Sequence, residues 1–151
     1  MLATAWAGMA DSAAIALFVL GYAVVFAHVF LRVPWRWAWL AIPVFAGIGV
    51  PAGLAADALG MPGSYYAAPL VTLFVLAALT IRDGAWPVFL TAGGLFGVSL
   101  TFRSMDHTVC GSFPPGTHFL WHLCNATVLY LVSRTAVRRW VGSPGQVTAG
   151  A

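Results

Sequence analysis

Of 151 residues, 61% are hydrophobic and 7% charged, and the net charge is +3. A soluble domain could not cover so much apolar surface, and the basic balance comes from arginines flanking apolar runs, so the composition points to a membrane protein and away from nucleic-acid binding. There is no lysine and no glutamate, which leaves seven arginines and four aspartates as the ionised inventory.

Two cysteines at unlike depths, Cys110 in a loop and Cys124 in an apolar run, make no disulfide framework and fix no redox compartment. The first 17 residues lack the basic n-region of a signal peptide, so they are expected to stay with the mature chain.

Five apolar runs, 12–32, 35–59, 64–82, 85–103 and 116–138, approach the roughly 20 residues that a membrane helix takes. The expected fold is an all-α membrane protein with five transmembrane helices in a single domain over 1–140, followed by a flexible tail over 141–151. The connections 33–34, 60–63 and 83–84 are short and carry Pro or Gly where a helix should stop, so consecutive helices should be antiparallel neighbours. Only the fourth connection, 104–115, is long, and it holds Asp106, His107 and Cys110. A long loop in so compact a chain is a place to look for function.

Arginines sort by side. Arg32, Arg36, Arg82, Arg134, Arg138 and Arg139 fall on one face and Arg103 on the other, which places the N-terminus outside and the C-terminus in the cytoplasm. Trp35, Trp37, Trp39, Trp86 and Trp140 gather at the cytoplasmic boundary like an interfacial belt, and Tyr65 and Tyr66 at the outer one. Gly49 and Gly53, and Gly93 and Gly97, are spaced by four and are expected to let helices approach closely. Pro43, Pro51, Pro69 and Pro87 should start or kink their helices.

The chemistry concentrates between Arg103 and Ser133, which holds three of the four histidines, both cysteines and one of the four aspartates. His118 and His122 are four apart and share a helical face, with Asn125 continuing it and Ser133 further along. Imidazoles are costly against lipid, so this stripe should face the bundle interior or a cavity. Two such histidines suit zinc, which usually takes three or more protein ligands; the plain alternative is a pair of interhelical hydrogen bonds. By the same topology Asp11, Asp57, Asp106 and His107 approach the outer face, where an aspartate could orient an imidazole or serve as a base. His28 lies near the cytoplasmic end, some 10 Å or more away in depth. It suits contact with lipid headgroups beside Arg32, a hydrogen bond within the bundle, or a separate pigment or haem. Arg103 and Asp106 are spaced to pair, whereas a bond between Cys110 and Cys124 is not expected.

The segment from Asp106 to Tyr130, with its D-x3-C, a short loop, and HFLWH followed by a polar residue and a tyrosine, resembles the last transmembrane segment of the alkaline ceramidase and progestin-receptor-like (CREST) membrane hydrolases. The resemblance covers about a sixth of the chain. It implies that His118 and His122 bind zinc, that Asp106 and Cys110 precede the final helix on the exoplasmic side, and that the metal activates water to cleave a lipid amide or related bond. Such hydrolases have seven helices and draw a third zinc histidine from an S-x3-H motif, which this chain lacks. His107, an aspartate or another subunit would then complete the set.

The expected function is a zinc-dependent integral-membrane hydrolase acting on a lipid amide or ester. Its expected metal ligands are His118, His122 and His107, with Asp106 or Asp57 assisting catalysis. The alternative is a non-catalytic small subunit of a larger membrane complex, binding haem or a chlorophyll-like pigment through histidine. Expected partners are membrane lipids and a homo-oligomer or larger complex, in an inner or plasma membrane.

Overall fold

A computed structural model describes residues 5–60, 64–109 and 117–142, and within them the side chains of 5–12, 65, 106–109 and 118 lie outside what it describes. The chain is all-α. Helix α1 runs over Ala5–Val29, the short α2 over Trp35–Ala38, α3 over Ala41–Ala58, α4 over Ala67–Leu79 after a 3-10 turn at Ser64–Tyr66, α5 over Trp86–Val109 and α6 over His118–Val141. Five helical bodies thus stand where the five apolar runs were expected. Two stretches, Trp35–Ala58 and Trp86–Met105, are long and apolar enough to cross a membrane, and shorter apolar segments occupy Ala13–Val29 and Ala67–Leu79.

The boundaries differ in instructive ways. The second run is broken at Trp39–Leu40 because Pro43 has no N–H to give to the Trp39 carbonyl and its ring crowds that carbonyl. Pro69 and Pro87 sit in the first turns of α4 and α5, where a missing N–H costs nothing, and Pro51 lies inside α3. Gly60 (φ 66°) and Gly84 (φ 71°) turn the chain in the left-handed region, and so does Arg32 (φ 56°), where a side chain carries a steric cost of roughly 1 kcal/mol. Helix α5 continues past Arg103 to Val109, so Asp106 and His107 are helical residues rather than loop. Of the expected tail over 141–151, Val141 is the last residue of α6 and Gly142 its C-cap, and 143–151 lie outside the described residues.

Neighbours pack in the order α3, α4, α5, α6, and α1 closes the ring by touching both α3 and α6. Small residues set the spacing. A methyl at Gly49 would lie 2.8 Å from the Ala68 Cβ, so α3 and α4 approach closely there, and one at Gly93 would lie 3.2 Å from the Phe74 ring of α4; Gly53 and Gly97, the second glycine of each pair, leave ordinary van der Waals room at 3.8 and 4.0 Å. Phe26, Phe30, Phe89, Phe96, Trp121 and Val132 form the main core. Leu17, Leu54, Leu59 and Val137 point outward and are largely exposed. Apolar residues inside and outside alike suit a bundle surrounded by lipid. The hydroxyls of Thr72, Thr101, Ser104, Thr127 and Thr135 each donate to the carbonyl four residues back, which satisfies them within their own helices.

Candidate functional site

At one end of the bundle the C-terminal half of α5, the start of α6 and the 3-10 turn converge on a buried aromatic floor. Trp121 is fully buried, Tyr66 nearly so, and their rings meet at 6.1 Å. The Arg103 guanidinium lies over both, 4.6 Å from the Trp121 ring and 4.9 Å from that of Tyr66. Cation–π contacts of this kind fix a positive charge at the site end at little desolvation cost. Tyr66 is therefore a floor residue and not the interfacial anchor that its position in the sequence suggested. Arg103, expected to pair with Asp106, engages the aromatic rings; the Asp106 side chain lies outside the described residues.

The two helices are tied beneath this floor. The Ser99 hydroxyl, fully buried on α5, lies 3.1 Å from the Trp121 carbonyl and 3.0 Å from Asn125 Oδ1 on α6. Thr117, which precedes α6, does not cap its own helix and donates instead to the Phe102 carbonyl at 2.6 Å. These bonds hold α6 from its first turn, so positions 118 and 122 are set on a rigid helix.

His118 opens α6 and His122 follows one turn later on the same face. The His122 side chain is exposed, and its ring packs against Trp121 with centroids 4.5 Å apart and planes at 67°. The face continues to Asn125 and Leu129, seven residues beyond 118 and 122, and both of these line an apolar cleft of about 320 Å³. Helices α1, α3, α4 and α6 form its walls, through residues such as Phe18, Ala23, Phe45 and Leu76, and Phe96 of α5 contributes as well. Its volume falls in the range of lipid- and drug-sized sites.

His118 and His122 stand one turn apart on an unbroken helix held by Ser99 and Thr117, and imidazole nitrogen is a donor type that zinc accepts. Asp57 lies in the last turn of α3 at the same end of the bundle, because Gly53, one turn earlier, faces the Ser64 carbonyl of the 3-10 turn. Among the described residues no three His, Cys, Asp or Glu side chains gather. The side chains of Asp11, Asp106, His107, Cys110 and His118 lie outside them. Cys124 is a free, half-buried thiol.

His28 belongs to the opposite end. Its Nδ1 lies 2.9 Å from the Val33 carbonyl, and its ring is 5.0 Å from that of Trp35 and 5.3 Å from that of Trp140. It is thus not brought to His122. Arg139 and Asp83 form an ion pair nearby at 2.9 Å, which the sequence reading overlooked. That reading also missed Ser99 and Trp121. A polar residue in each of two otherwise apolar runs was the available signal for the Ser99–Asn125 contact. No protein-family model matches the chain, and neither the curated proteins nor the solved structures yield a match.

Proposed function

We propose that the chain is a five-span integral-membrane hydrolase of lipid amides or esters, with a metal site on the first turn of α6. The observation that carries this reading is continuity: the helical face bearing His118 and His122 becomes, two turns on, the wall of an apolar cleft. A lipid tail in that cleft would bring its polar linkage toward the histidines at the end of the bundle. The likeness of the HFLWH segment to the CREST hydrolases points the same way.

In this reading His118 and His122 hold zinc, and His107 is the third ligand. The ion would supply Lewis acidity and a water nucleophile available near neutral pH. The chain's own residues do the rest. The cleft excludes water from the tail, and Ser99 with Asn125 fixes the angle at which α6 presents its histidines. Asp57 or Asp106 takes up the proton released when water attacks the carbonyl. The outer position of the site follows from the arginine count, with Arg103 alone at that end. Elemental analysis of the detergent-purified protein should find about one zinc per chain, lost in the His118→Ala, His122→Ala double variant together with cleavage of a lipid-amide substrate. Retention of zinc or of activity by that variant would end the proposal.

A second reading has one observation of its own. With Nδ1 turned to the Val33 carbonyl, the remaining lone pair or proton of His28 is on Nε2, and the ring is held between two tryptophans. His28 Nε2 could then hold the metal of a haem or pigment, its ring orientation set by the Val33 carbonyl, in a non-catalytic subunit of a larger complex. Absorbance of the purified protein beyond the tryptophan band, lost in His28→Ala, would favour this reading over the first.

A further inference from the structure

The arginine-rich end of the bundle has a charge imbalance that the proposed hydrolase chemistry does not use. Of the four aspartates in the chain, only Asp83 lies at that end, and Arg139 is paired with it. The guanidiniums of Arg32, Arg36, Arg82 and Arg138 are exposed and have no acidic partner among the described residues. Two of these four, Arg32 and Arg36, flank the segment that folds around His28.

That segment is built rather than loose. The Val33 N–H donates to the Ala27 carbonyl at 3.0 Å, and the Val33 carbonyl meets His28 Nδ1 at 2.9 Å, so the chain folds back on the end of α1. Arg32 holds the left-handed conformation that makes this turn. Trp35 stands edge-on to His28 and in turn against Trp39 at 6.2 Å, while Trp140 of α6 covers the other side. Arg139 reaches over Phe30 at 5.3 Å, which ties the same turn to α6. The result is a half-buried imidazole packed against two tryptophans, in a turn that also carries the exposed Arg32 and Arg36, at the depth where headgroups lie in the five-span arrangement.

We propose that this turn binds the headgroup of a net-anionic phospholipid. Arg32 and Arg36 supply the charge, His28 Nε2 a further polar contact, and Trp35 and Trp140 the interfacial apolar walls. Charge complementarity selects the occupant, because among the described residues no acidic side chain pairs with these guanidiniums and an anionic leaflet surface is attracted to such clusters. The site rests on the membrane placement proposed above but is independent of the hydrolase reading.

The test uses the full chain reconstituted in phosphatidylcholine vesicles containing brominated lipid, with quenching of tryptophan fluorescence as the readout. Five of the seven tryptophans, Trp35, Trp37, Trp39, Trp86 and Trp140, lie at this end of the bundle. Brominated phosphatidylglycerol should quench more effectively than brominated phosphatidylcholine, with a binding preference of about fivefold for each guanidinium engaged. The preference should fall toward unity in Arg32→Gln, Arg36→Gln, and in wild type at high salt, but persist in Arg134→Gln, whose guanidinium lies over Tyr130. Both substituted positions are exposed, so the double variant should fold. A preference that survives the double substitution, or its absence from wild type, would overturn the site. Failure of the protein to float with either vesicle would overturn the membrane placement and the site with it.

Discussion

Gly49 offers a direct test of how closely the bundle is packed. A methyl built there lies 2.8 Å from the Ala68 Cβ, about 1 Å inside ordinary carbon–carbon contact, and both atoms are fixed to helix backbones that cannot rotate aside. Gly49→Ala therefore forces α3 and α4 apart, and overpacking of this kind costs roughly 1–3 kcal/mol. The same change restores helix propensity worth about 0.5–1 kcal/mol, so the net expectation is a loss of about 1 kcal/mol. Gly47 is the internal control, because a methyl there meets nothing within 4 Å and Gly47→Ala should give the propensity gain alone. Adding Ala68→Gly to Gly49→Ala exchanges the two methyls and should recover most of the clash, giving a favourable coupling of roughly 1–3 kcal/mol in a double-mutant cycle. Reversible unfolding in mixed detergent–SDS micelles, followed by tryptophan fluorescence, would measure wild type, the three single variants Gly47→Ala, Gly49→Ala and Ala68→Gly, and the double variant. If Gly49→Ala proved as stabilising as Gly47→Ala, the α3–α4 contact described above would be wrong.

Tyr22 donates to the Val132 carbonyl at 3.0 Å and ties α1 to α6, so Tyr22→Phe should cost about 1 kcal/mol in the same unfolding assay. Ser99→Ala removes a buried hydroxyl shared by Trp121 and Asn125 and should cost about 1–2 kcal/mol, with a further fall in zinc content if the α6 histidines hold the metal. Ala23 lines the cleft, and Ala23→Phe should lower lipid-amide cleavage while leaving zinc content unchanged; undiminished turnover would show that the tail binds elsewhere. The Arg139–Asp83 pair is partly exposed, so Arg139→Gln should cost only about 0–1 kcal/mol, and the double change with Asp83→Asn should cost no more than the worse single variant.

The helical bodies could be read from the chain because apolar runs alternate with Pro- and Gly-bearing breaks, and both signals are local. The break at Trp39–Leu40 was also written there, in Pro43, but its effect falls four residues upstream within a continuous apolar run. Asn125 could be recognised as polar within an apolar run, whereas its partner Ser99, 26 residues away, depends on the register of α5 against α6. Trp121 is similar. In sequence it is a spacer between two histidines, and only the convergence of α5, α6 and the 3-10 turn makes it the floor under Arg103. The cleft is a property of ring closure by α1, a contact between the first and last helices that no local pattern encodes.

Helix α4 has 13 residues, about 20 Å at 1.5 Å each, and the 3-10 turn before it adds about 6 Å. A bilayer core of roughly 30 Å exceeds that span even without tilt. In the five-span arrangement the lipid beside α4 must thin, and with the α4–α5 turn held by the Asp83–Arg139 pair the shortfall falls toward the end that carries Tyr66. The membrane surface would then dip where the aromatic floor and the α6 histidines stand. Water would meet a lipid linkage at a depth that an unperturbed bilayer keeps dry.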